Sequence, residues 1–102
     1  MAASAARLVA LNPGLANVQF GIEEIPPSDP SPWERGVVAL GRYFPADRTT
    51  GVATRIVVYR RPVMTRASTT DHLIDIIRGV LAEQAATALG LTPGDVDPNF
   101  RA

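Results

Sequence analysis

The chain contains no cysteine, which excludes disulfides, thiolate nucleophiles and cysteine-based metal sites. Lysine is absent as well: all ten basic residues are arginines, so Schiff-base and P-loop chemistry is excluded. Histidine occurs once, as His72. Charge of neither sign is in excess, since ten acidic residues balance the ten arginines and leave no global field toward nucleic acid or anionic lipid. No uncharged apolar run has the length of a membrane-spanning helix. The first residues, Met1 to Ala6, carry no basic leader region, and the apolar stretch from Leu8 to Leu11 is too short for a signal core, so a cytoplasmic location is expected.

What is present is an ordinary globular composition, 46 % hydrophobic and 20 % charged over 102 residues, which predicts one soluble domain spanning residues 1–102. Ala2 to Leu11 reads as a short helix stopped by Asn12, Pro13 and Gly14. Between Asn17 and Ile25, Val18, Phe20 and Ile22 alternate with polar or small residues, the pattern of a half-buried strand. Pro26, Pro27, Pro30 and Pro32 make a long loop that leads to Trp33, and Val37 to Leu40 predicts a second strand. Ile56 to Tyr59 is a continuous β-branched and aromatic run that suits a strand covered on both faces, with Pro62 ending its ladder.

The longest element is a helix from about Thr70 to Leu89, capped in the Ser68–Thr70 cluster and stopped by Gly90. Its projected apolar stripe runs through Leu73, Ile77, Leu81, Gln84 and Ala88, flanked by Ile76, Val80 and Ala85, so Gln84 falls where the core is expected. Thr92, Pro93 and Asp95 announce a short terminal helix, with a frayed tail beyond Asp97. The expected fold class is therefore α+β: an N-terminal helix, a small mixed sheet of about three or four strands with a long proline-rich loop, a long C-terminal helix and a short terminal one.

Three stretches, Pro26 to Gly36, Ile56-Val57-Val58-Tyr59-Arg60-Arg61-Pro62 and the helix end Leu89-Gly90-Leu91, resemble the small zincin-like metallopeptidase family. In that family a strand ending in Tyr-Arg-Arg-Pro precedes a helix reading H-E-x-x-H-x-x-G, with an aspartate three residues beyond the glycine. The resemblance implies a minimal zincin-like domain whose long helix is the former metal-motif helix. Counting back from Gly90 sets Glu83 at the place of the first histidine, Gln84 at the general base and Thr87 at the second histidine, and counting forward sets Pro93 at the aspartate. Shifting the register by one puts Ala82 and Ala86 at both ligand places. His72, eleven residues before Glu83, lies roughly 16 Å away along the axis and cannot share an ion with it.

Two imidazoles on one helix face hold the zinc of such a motif, and the adjacent glutamate takes a proton from the bound water. Glutamine lacks that basicity, proline offers no donor and a neutral threonine hydroxyl is a poor one. The expectation is a degenerate family member with no metal, no cofactor and no catalytic residue, acting as a binding or structural module. The alternative is an active hydrolase with a non-standard metal site, which requires carboxylates such as Glu23, Glu24 and Glu83 to converge.

Candidate binding residues are Trp33, Arg60, Arg61 and Glu83. Trp33 is either a lid on the core or an anchor for a peptide or protein. Arg55, Arg60, Arg61 and Arg66 either dock a carboxylate or phosphate or guard an edge strand by charge. Glu83 and Thr87 form either a solvated pair or a weak polar site, and Gln84 is either a hydrogen-bonded core amide or part of a relic cleft. His72 reads as a solvent-facing residue at a helix start, and Asp71 and Asp75 as a solvated face rather than an acid–base dyad. The sequence names no partner: a peptide or protein is the candidate, no nucleic acid or membrane is expected, and the chain is expected to be a monomer or a weak homo-oligomer that associates through the Trp33 loop or the Ile56 to Tyr59 strand.

Overall fold

A computed structural model describes residues 2–25, 40–47 and 49–100. Helix α1 (Ala2–Leu11) passes through one tight turn (Pro13–Leu15) into strand β1 (Gln19–Glu23). Strands β2 (Gly41–Phe44) and β3 (Arg55–Tyr59) follow, and then helices α2 (Arg60–Arg66), α3 (Thr70–Leu89) and α4 (Pro93–Val96). The fold class is α+β, with four helices and one three-stranded mixed sheet among the described residues.

The sheet order is β1-β3-β2, so β3 is the central strand. It runs parallel to β1, with Phe20 beside Ile56 and Ile22 beside Val58, and antiparallel to β2, with Gly41 opposite Val58 and Tyr43 opposite Ile56. Central position explains the unbroken apolar run: Ile56, Val57, Val58 and Tyr59 are all buried, because a strand with neighbours on both sides and covered faces leaves no side chain to water. Ile56 and Val58 join Leu8, Leu15, Val63 and Leu81 in the main core. Two expectations are corrected here. β3 is not an edge that arginines guard, and its ladder groups are engaged on both sides, so it offers no edge for self-association.

The end of β3 holds a third correction. Pro62 does not simply stop a strand; the chain turns directly from Tyr59 into α2, and Pro62 sits in the first turn of that helix, where its missing N–H leaves no hydrogen bond unmade. Arg60 and Arg61 are thus helical, not strand, residues. The second strand begins at Gly41, just after the predicted Val37 to Leu40 segment, of which residues 37–39 lie outside the described residues.

α3 has the predicted bounds because its signals are local. The Thr69 hydroxyl accepts from the His72 amide at 3.0 Å, and Gly90 closes the helix at φ 69°, a left-handed conformation that glycine adopts without a Cβ penalty. The buried residues Val80, Leu81 and Ala85 face the sheet and α1, whereas Ala82 and Ala86 belong to a second cluster beneath Val96 and Phe100. The helix therefore buries more than the one predicted stripe. Its approach to β2 is tight. A Cβ on Gly41 would collide with Val80 Cγ1, lie 3.0 Å from the Val57 carbonyl oxygen and meet Gln84 Cγ at 3.6 Å.

α4 and the residues after it are tied to α1 at the far end of the sequence. Both terminal nitrogens of Arg7 donate to Asp97, at 2.8 and 2.9 Å, and the Asn12 amide donates to the Val96 carbonyl at 2.8 Å. The Asp97 side chain is only 4 % exposed, and it also accepts from the Asn99 amide. Phe100 packs on the cluster of Ala82, Ala86 and Val96, so the stretch from Asp97 to Phe100 is held rather than frayed.

Two outcomes are expected. Gly41→Ala should destabilise the fold by about 1–3 kcal/mol by overpacking, and pairing it with Val80→Ala should cost less than the sum of the single changes, as measured by urea unfolding in a double-mutant cycle. The second concerns acid. The Arg7 guanidinium holds the Asp97 carboxyl below its ordinary value, outweighing the opposing effect of burial. Its stabilising contribution is therefore complete above the ordinary carboxylate value, near ~3.9, and is lost as pH falls through the lower folded value. Asp97→Asn should lower the urea midpoint at neutral pH, and its deficit against the parent should shrink as pH drops through that window.

Candidate functional site

The positions expected to carry metal chemistry lie in the C-terminal half of α3 and in α4. Glu83 and Thr87, four residues apart, are both exposed on one flank of α3, as two ligand places sharing an ion on a helix must be. Their chemistry is different from that of two imidazoles. The Thr87 hydroxyl donates back to the Glu83 carbonyl oxygen at 3.1 Å, so it is engaged with the helix backbone. Gln84 is half-buried and turned to the sheet, beside the start of β2 at Gly41. It stands between the two readings set out for it, neither in the centre of the core nor on the open flank.

Pro93 occupies the first turn of α4. The neighbouring carboxylate, Asp95, accepts from the Thr92 hydroxyl at 2.8 Å and the Thr92 amide at 3.3 Å and so serves the helix start. A zinc site of the H-E-x-x-H type does not fit this donor set: one carboxylate, one engaged hydroxyl and a proline give too few donors of the kind zinc takes. Among the described residues no group of three or more His, Asp or Glu is placed to hold a metal ion. Glu23, Glu24 and Glu83 therefore do not converge, and Glu24 instead faces Arg60 at 3.3 Å and Arg61 at 3.4 Å.

That last contact bears on the arginine cluster. Arg60 and Arg61 share one carboxylate of their own chain, in exposed pairs of the kind that contribute little to stability. Arg55 lies over the Phe44 ring, 4.7 Å from its centroid, and Arg66 is in the last turn of α2. The four thus divide between the strand and a helix that local signals had not announced. Trp33 and the Pro26 to Gly36 stretch lie outside the described residues.

His72 is exposed at the start of α3, where its Nδ1 accepts from the Ser68 amide at 3.1 Å and lies 3.1 Å from the Ser68 hydroxyl. It belongs to the helix start and is remote from the Glu83 flank. Asp71 and Asp75 are both exposed, as expected of a solvated face. Sequence reasoning missed Arg7, Asp97 and Phe100, whose only signals were an arginine in an alanine-rich helix and an acid and an aromatic in a terminal segment. No spacing rule connects residues 90 apart.

Among the described residues no helix is long and apolar enough to cross a membrane. Comparison with curated proteins finds no match. A sequence model described as zincin-like metallopeptidase matches residues 15–100, a span that runs from the turn after α1 through all three strands and the long helix to Phe100. This chain therefore belongs to the zincin-like metallopeptidase family.

Proposed function

We propose that the protein is a zincin-like domain that has lost zinc binding and peptidase activity and serves as a binding or structural module, with a peptide or protein as its partner. The observation that carries the reading is the donor set at the four family positions: Glu83, Gln84, Thr87 and Pro93 stand where two histidines, a glutamate and an aspartate are needed. Zinc-dependent hydrolysis requires a metal held by strong donors, so that the bound water ionises near neutral pH, and a carboxylate beside it to take the proton. Gln84 is a neutral amide at the base position and cannot take a proton at any working pH.

Two features of the fold favour a retained scaffold. α3 has the motif glycine as its C-cap, with the Leu91 amide closing on the Ala86 carbonyl at 2.9 Å. The helix also keeps its seat on β2 through Gly41, so positions 83 and 87 remain side by side on the open flank while position 84 faces the sheet. The cleft-side surface of such a domain can bind a partner through shape and polar contacts without performing chemistry on it.

Metal analysis of the purified protein tests the loss. The expected result is less than stoichiometric zinc after gel filtration and no hydrolysis of an unstructured protein substrate; one zinc per chain that disappears in Glu83→Ala would overturn the reading. A gain-of-function variant tests the positions themselves. Glu83→His, Gln84→Glu, Thr87→His and Pro93→Asp together should stay folded, since Glu83 and Thr87 are exposed, and should bind one zinc with an affinity at least about a hundredfold above the parent. A variant with parental circular dichroism and no gain in zinc binding would refute the register.

A further inference from the structure

The face of α3 turned away from the sheet borders a cavity of about 470 Å³, walled by Asp75, Arg78 and Gly79 of that helix, by the Arg7–Asp97 pair and by Phe100. Its size falls in the range of small-molecule sites, roughly 300–1,000 Å³. None of Glu83, Gln84, Thr87 and Pro93 lines it, so this cavity is separate from the positions matched to the family's metal motif.

Its polar groups fall into two kinds. Arg7 and Asp97 satisfy each other through two short bonds, and Asp97 is buried, so together they form a neutral wall. Asp75 and Arg78 are exposed and stand three residues apart on the same helix, and the Arg78 charge also acts on Asp97, helping to hold its carboxyl low. Side chains at that spacing project as neighbours, with Cβ atoms about 5–6 Å apart. The cavity rim therefore offers one anion and one cation at close quarters, a match for a ligand carrying both charges. A simple anion would face Asp75, and a simple cation Arg78.

Gly79 is an independent observation. It lies in the interior of a twenty-residue helix, where glycine is disfavoured relative to alanine. Packing does not demand it: a Cβ there would only touch Phe100 Cε2 at 3.9 Å, an ordinary contact. The missing side chain instead leaves floor space beside the Phe100 ring.

We propose that this cavity binds a small zwitterion of amino-acid size with an apolar side chain. The carboxylate lies on Arg78, the ammonium on Asp75, and the side chain over Gly79 against Phe100. The charge pair gives orientation, and the aromatic edge with its glycine floor gives preference for an apolar substituent.

The test is a nuclear magnetic resonance titration of the full chain with L-leucine. Saturable shifts are expected at the Gly79 and Phe100 amides, with the Gly90 amide unmoved. L-leucinamide, which lacks the carboxylate, and 4-methylpentanoate, which lacks the ammonium, should each bind at least about tenfold more weakly, as should L-leucine to Arg78→Gln or Asp75→Asn. Both substituted residues are exposed, so both variants should keep the parental spectrum elsewhere. Absence of saturable shifts up to roughly 50 mM L-leucine would overturn the proposal, as would an affinity for either analogue equal to that for L-leucine or unchanged affinity in Arg78→Gln.

Discussion

The tight contact between α3 and the sheet at Gly41 governs the rest of the molecule. With no Cβ at that position, Val80 comes down onto β2, Gln84 settles beside it and the helix lies close enough to cover Ile56 and Val58 of the central strand. A side chain at residue 41 would lift the helix and open the core formed with Leu8, Leu15 and Leu81. The same contact fixes the rotation of α3 about its own axis. Once position 80 faces the sheet, position 84, about 40° further round, must face it too, and position 83 falls about 60° to the other side, because the helix advances about 100° per residue.

That rotation links packing to chemistry. On the proposed register, the four motif positions are presented by backbone geometry, whereas metal chemistry would depend on side-chain atoms that Glu83, Gln84, Thr87 and Pro93 do not carry. Glu83 is a lone carboxylate, the Thr87 hydroxyl is bonded to its own helix, and Gln84 carries no proton-accepting charge. Scaffold and reactivity can separate in this way because burial depends on residues such as Val80, Leu81 and Ala85, while catalysis depends on a few positions that contribute little to the core. The opposite side of α3 is shaped by a different constraint, the Arg7–Asp97 bond pair, which holds α1 against the terminal segment and leaves a cavity beside it.

Legibility follows the range of the interaction involved. The ends of α1, α3 and α4 were readable from Asn12, Thr69, Gly90, Thr92 and Pro93, since capping acts between residues one to four apart. β3 was readable from its β-branched run. α2 was not: Arg60–Arg66 follows the strand without a break, and Pro62 fits a helix start as readily as a strand end. Residues 37–39 of the expected second strand lie outside the described residues, and β2 begins at Gly41, where pairing to Val58 rather than hydrophobicity decides the strand. At the candidate site, the side chains at the positions counted from Gly90 were legible as residue types, while the half-burial of Gln84 and the occupation of Glu24 by Arg60 and Arg61 were not.

The sequence by itself determined the fold class, the long helix with its glycine stop and the residue types seven, six and three places before that glycine, all of which depend on residue type and local spacing. Only the tertiary structure decided that β3 is central and has no free edge, that α3 buries a second face against Val96 and Phe100, and that Arg7 meets Asp97. These depend on which distant surfaces meet, and such meetings are set by the joint packing of the whole core, which no short window of sequence records.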